Sequence, residues 1–143
     1  LDALAASLGL GDALTVWGYR DDVPEILAGS DVSVDASHEG LGITGTLRES
    51  LAMETPVVAT DVAGNPELVA HERTGLLVPP RDPEALAAAL LRLLADPTWA
   101  KALGRAGRRA VVERFSTRAK VERLETLYRR LAAGQRRLAT RQI

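Results

Sequence analysis

From Ala13 to Leu94, short β-prone runs alternate with helix-patterned segments, and the connections between them are short. That alternation points to a parallel sheet with helices on both faces, the layer arrangement that buries the apolar side of every element. The β-prone runs are Ala13–Trp17, Asp31–Asp35, Thr55–Thr60 and Gly75–Val78. The third is largely apolar, as a strand buried on both faces must be. Helices are expected over Leu1–Leu8, from Asp21 to Leu27, over Thr46–Glu54, briefly from Asn65 to Glu67, and from Asp82-Pro83 to Leu94. The last third reads as helix only. One begins at Asp96-Pro97 and ends near Glu113; a second is capped by Ser116 and carries Leu124, Leu127, Tyr128 and Leu131 on one side.

The 143 residues, 46% of them hydrophobic, suffice for one compact domain with a sizeable core. There is no cysteine and only His38 and His71 offer imidazole, so a disulfide framework or thiolate metal site is not available. A reducing cytoplasm suits such a chain. The formal net charge is −1, and basic and acidic residues read as interspersed through the body give no general signal for nucleic acid. No apolar run approaches the roughly 20 residues that cross a bilayer. The tail from Gln135 to Ile143 is basic and is expected to fray. A basic amphipathic end can also touch acidic lipid at the inner face of a membrane, although packing of its apolar face on the domain is the preferred reading. Because Leu1 already lies inside a helical pattern, something is expected to precede this helix.

In an open parallel sheet, ligands sit beyond the C-terminal ends of the strands, so the loops that follow strands carry the candidate chemistry. Three qualify: Gly18-Tyr19-Arg20-Asp21, His38 to Gly45, and Asp61 to Glu67. The glycines of the second have two readings: a tight strand-to-helix connection, or a loop whose backbone amides approach an anion at the positive end of the helix opening at Thr46. Glu49, in the first turn, has two readings. It can accept both hydroxyls of a ribose, or it can close Thr46-Leu47-Arg48-Glu49 as a capping box. Glu39, among glycines at a strand end, can accept sugar hydroxyls or simply face water. His38 is read as structural or solvent-facing, Asn65-Pro66-Glu67 as a helix cap with Glu67 bracing the loop, and Arg48 as a surface or ion-pair residue.

The stretch from Glu39 to Val69 closely resembles the donor-site signature of glycosyltransferase family 4. It reads Glu-Gly-Leu-Gly, then Leu-Arg-Glu-Ser-Leu-Ala-Met, then Thr-Pro-Val-Val-Ala-Thr-Asp-Val-Ala-Gly-Asn-Pro-Glu-Leu-Val. The likeness extends to Val16-Trp17-Gly18-Tyr19 with Asp22-Val23-Pro24, to Gly75–Val78 with Asp82-Pro83, and to the helices ending near Tyr128. The resemblance implies an α/β fold with a Rossmann-like open parallel sheet, one half of the two-domain GT-B architecture, closed by C-terminal helices. It further implies a retaining, metal-independent transfer of sugar from a nucleotide-sugar donor such as a UDP- or GDP-sugar, without a cofactor. The acceptor would be held mostly by an N-terminal domain that, with the first part of the present domain, lies outside residues 1–143. By the same analogy Glu39 contacts donor-sugar hydroxyls, Gly40, Leu41 and Gly42 offer amides to the distal phosphate beside Thr46, Glu49 grips the ribose, and Gly18, Tyr19 and Arg20 border the base.

Two features depart from the family pattern. Nine residues separate Glu39 from Glu49 where the family has seven, and Glu54 stands where a small residue or glycine usually precedes Thr-Pro. The family's basic pair that neutralises the diphosphate, and the acceptor domain with its histidine, are not in this chain. Alternatives to a transferase half are a non-catalytic nucleotide-binding or fold-only fragment and a two-domain nucleotide-sugar epimerase, which lacks the Glu-Gly-x-Gly to Pro-Glu spacing. A sheet edge and surface left uncovered would favour self-association.

Overall fold

The computed structural model describes residues 2–40 and 42–139. Helix α1 (Asp2–Ser7) is followed by a short 3₁₀ turn, Gly11–Ala13, then by α2 (Val23–Ala28), β1 (Ser33–Asp35), α3 (Gly45–Ala52), β2 (Val57–Thr60) and α4 (Asn65–Leu68). β3 (Leu76–Val78), α5 (Pro83–Ala95), α6 (Pro97–Phe115) and α7 (Thr117–Ala139) complete the chain. The three strands form one parallel sheet in the order β1-β2-β3. Val34 lies opposite Val58, and Ala59 opposite Leu77.

β2 organises the core. Val57 and Ala59 face a cluster with Leu47 and Leu51 of α3, Leu68, Val69 and Val111. Val58 faces the other way, against Leu76, Val78, Ala89, Leu93, Ala100 and Leu103. These three side chains are fully buried and Thr60, the fourth residue of β2, is buried beside them, as the apolar run Thr55–Thr60 predicts. Caps fall where the sequence places them. Asp82 accepts from Ala85 N, Asp96 from Trp99 N, and Ser116 Oγ from Ala119 N, at 2.8, 2.9 and 3.2 Å.

The strand expected at Ala13–Trp17 does not form. Leu14 has extended backbone, φ −109° and ψ 123°, yet the described sheet ends at β1. Extended backbone becomes a strand only by pairing its amides and carbonyls, and among the described residues this segment has no ladder partner. Val16 and Trp17 accordingly stand 61% and 59% exposed. At the far end the backbone of α7 continues to Ala139, so the first five residues of the tail expected to fray are helical. Thr140–Ile143 lie outside the described residues, as does Leu1.

The expectation of interspersed charge also needs correction. Thirteen of the eighteen Lys and Arg, but only three of the nineteen Asp and Glu, fall at or after Pro97. The near-zero net charge is a sum over an acidic sheet unit and a basic pair of C-terminal helices. No described helix is long and apolar enough to cross a membrane.

α6 seats on the sheet unit through two glycines. A Cβ on Gly104 would run into the carbonyl of Glu54, and one on Gly107 into the Leu51 side chain and to 3.1 Å from Thr74 O. Glu54 itself adopts φ 64° as the chain leaves α3, with Glu54 N bonded to Leu51 O and Thr55 N to Ser50 O. This left-handed position explains why glycine suits it and a glutamate is strained. Two outcomes are expected from thermal or denaturant unfolding. Glu54→Gly raises stability by roughly 0.5–1 kcal/mol, because relief of the left-handed strain exceeds the worth of its exposed pairing with Arg108. Gly104→Ala lowers stability by at least about 2 kcal/mol, since backbone, not a flexible side chain, stands in the way.

Candidate functional site

The parallel sheet brings the C-terminal ends of β1 and β2 together, and the two loops that leave them lie against each other. Gly64 makes this approach possible: a Cβ there would come within 2.7 Å of Ile43 N and 2.8 Å of Gly42 C. Between the loops is a cavity of about 260 Å³ lined by Ser37, Glu39, Gly40, Gly42, Thr44 and Asn65, among others. A second cavity, about 220 Å³, lies along β1 and the start of α3, bordered by Asp35, Thr44 and Thr46.

Asp35, the last residue of β1, ties this end together. Its Oδ1 accepts from Ser37 N at 3.0 Å and its Oδ2 from the Thr44 hydroxyl at 2.8 Å. Burial pushes its carboxyl up, but hydrogen bonds from Ser37, Thr44 and Asn65 outweigh this and hold it below the usual aspartate range. The Thr60 hydroxyl donates to Ser37 O at 2.5 Å, and Asn65 Nδ2 to Thr60 O at 3.0 Å. Both ends of the glycine loop are therefore fastened to strand ends, directly by Asp35 and through Thr60 from β2. Asn65 is buried, and its Oδ1 has no donor among the described residues. Sequence reasoning missed Asp35; its contacts with Thr44 and Asn65 span nine and thirty residues of chain and leave no local pattern.

The candidate residues separate into two groups. Glu39, Gly40 and Gly42 line the first cavity and Thr46 the second. Glu39 is exposed, its Oε1 3.4 Å from His38 Nε2. Leu41 lies outside the described residues. Thr44, not Thr46, is the N-cap of α3, its Oγ1 accepting from Leu47 N at 3.4 Å. Helix α3 starts at Gly45, so Glu49 is in the second turn and not the first. The capping-box reading of Glu49 is thereby overturned. Its carboxylate reaches back to within 3.6 Å of where a Gly45 Cβ would stand, is exposed, and has no ion pair or hydrogen bond among the described residues.

Gly18, Tyr19 and Arg20 line neither cavity. Tyr19 is 97% exposed. Arg20 Nε donates to Asp22 Oδ1 at 2.7 Å, with the guanidinium 5.8 Å above the Trp17 ring. This pairing occupies the Asp22 carboxylate, which makes no capping bond to α2. Asn65 likewise does not cap α4; Gly64 is the N-cap, and the Asn65 amide binds Thr60 instead. Glu67 and Arg48 are exposed.

The family model "Glycosyl transferases group 1" matches residues 1–96. The alpha-maltose-1-phosphate synthase of Mycolicibacterium smegmatis is 43% identical over 130 residues, 82% of this chain and 33% of that protein. Sucrose-phosphate synthase from Thermosynechococcus elongatus superposes with a TM-score of 0.85 at 38% identity, over 93% of this chain and 34% of that one. Anabaena Alr3699/HepE, solved in complex with UDP and glucose, superposes at 0.81 with 25% identity, over 89% of this chain and 35% of its own. The chain spans about a third of the length of the curated relatives it matches.

A pH dependence follows from Asp35. Its folded-state affinity for a proton is below that of the unfolded chain, so its stabilising contribution is full above the unfolded carboxyl range near pH 4. The contribution is lost as pH falls through the lower, folded value. Unfolding followed by circular dichroism between pH 5 and pH 2 should show a shallower decline of stability in Asp35→Ala than in the parent. Identical slopes would remove Asp35 from its role as loop anchor.

Proposed function

The chain belongs to the glycosyl transferases group 1 family, and from that premise we propose that it is the C-terminal, nucleotide-sugar-binding half of a retaining transferase of family 4. The observation that carries the reading is the cavity after β1 and β2: an exposed carboxylate, Glu39, and the backbone of Gly40 and Gly42 open on the same space, while Glu49 on α3 has no partner among the described residues. HepE, of the same fold, has been solved with UDP and glucose, which fits this class of ligand.

In this reading Glu39 holds donor-sugar hydroxyls, and the amides of Gly40 to Gly42, including Leu41, face the distal phosphate with Thr46 beside them. Glu49 takes the ribose hydroxyls as charge-assisted hydrogen bonds. The leaving group is a nucleoside diphosphate, whose negative charge grows as the sugar–phosphate bond breaks. Amides and the positive end of α3 directed at that charge lower the barrier more than they stabilise the bound donor. No metal or cofactor is required. The Gly18–Arg20 segment borders the base, which requires it to approach the cavity when the donor binds. The acceptor is held by the remainder of a longer protein working in the cytoplasm.

The test is calorimetric titration of the protein with UDP and with GDP, alongside Glu49→Ala. Heat with one nucleotide, weakened at least about tenfold in the variant, is expected from loss of a charge-assisted contact and names the base of the donor. No heat with either nucleotide overturns the reading. Equal heat in parent and variant removes Glu49 alone.

A further inference from the structure

The basic charge of the C-terminal helices is not consumed inside the molecule. On α6 the residues Lys101, Arg105, Arg108 and Arg109 are all exposed, and their spacing puts them in one row along about 12 Å of helix. Among the described residues only Arg108 is paired, lying 3.8 Å from Glu54 and donating to Ala52 O. The ion pairs of α7 are internal to that helix, Arg118 with Glu122 and Arg129 with Glu125. The acidic sheet unit therefore leaves most of the positive charge facing outward.

We propose that this face of α6, with the adjoining start of α7, docks the protein on a bilayer surface containing anionic phospholipid. Two observations favour lipid over other polyanions. Val112, 56% exposed, continues the row, and Val121, 47% exposed, follows on α7, so apolar side chains stand beside the cations as in interfacial helices. No aromatic side chain lies in the row to stack a base. Each Lys or Arg near an anionic leaflet adds attraction that is screened within a Debye length. The row and the glycine loop share no cavity: those lined by Glu54 and Arg105 contain none of the donor-site candidates.

The experiment is co-sedimentation of the intact protein with vesicles of phosphatidylcholine alone and of phosphatidylcholine with phosphatidylglycerol. It compares the parent with the triple variant Lys101→Ala, Arg105→Ala, Arg109→Ala. These three exposed side chains have no partner among the described residues, so the fold is expected to persist, and circular dichroism checks it. Binding only to the anionic vesicles, reversed by high salt and weakened about a hundredfold in the triple variant, is the expected result. Parent and variant binding equally, or neither vesicle being bound, overturns the proposal. So does tighter retention of an RNA oligonucleotide than of vesicles. Salt-sensitive self-association in the absence of lipid, abolished in the triple variant, would also overturn it, by giving the basic row to the acidic half of a second copy.

Discussion

Val57, Val58 and Ala59 are sealed on both faces at once, and the rest of the structure follows from that. A strand with no solvent face must be flanked by strands along both edges and by helices above and below, or its amides and apolar side chains meet water. β1 and β3 supply the edges, α3 one face, α5 the other, and α6 reaches both core clusters through Val111 and through Ala100 and Leu103. The glycines at 104 and 107 are where this demand becomes most exacting, because α6 touches the backbone that leaves α3.

Parallel pairing then decides where chemistry can occur. All strands point the same way, so the loops after β1 and β2 emerge together, and each helix that follows begins near the same spot. Gly64 lets the two loops meet, and Asp35 and Thr60 fix where they do so. The glycine loop is pinned at both ends. That suits a loop whose backbone must face a ligand without collapsing onto the sheet.

Much of this was legible in the residues. The three paired strands and the caps at Asp82, Asp96 and Ser116 carry local signals: β-branched runs, and a hydroxyl or carboxylate two or three residues ahead of a free amide. The failures have a common cause. Ala13–Trp17 has strand composition, but a strand is defined by its partner. Thr44 and Thr46 are equally good caps by composition, and only the path of the glycine loop selects Thr44, which moves Glu49 a turn along the helix and frees it. Glu54 departs from the glycine usual at its position, and the reason for glycine, a φ of 64°, leaves no mark on the sequence. The charge separation was readable throughout, but a net charge, being a sum, conceals it.

Asp35 poses a question for an anion-binding loop, since a carboxylate beneath the site should repel a diphosphate. The answer lies in what its oxygens accept. Ser37 N and the Thr44 hydroxyl donate to it, and these bonds, outweighing burial, keep its carboxyl below the usual aspartate range. The loop amides between these anchors are left to point elsewhere. An apolar residue at this position would avoid the repulsion but would leave Thr44, the N-cap of α3, without its acceptor. In the proposed reading the carboxylate serves the anion site indirectly: it holds Thr44, the N-cap of the helix that opens beside the cavity.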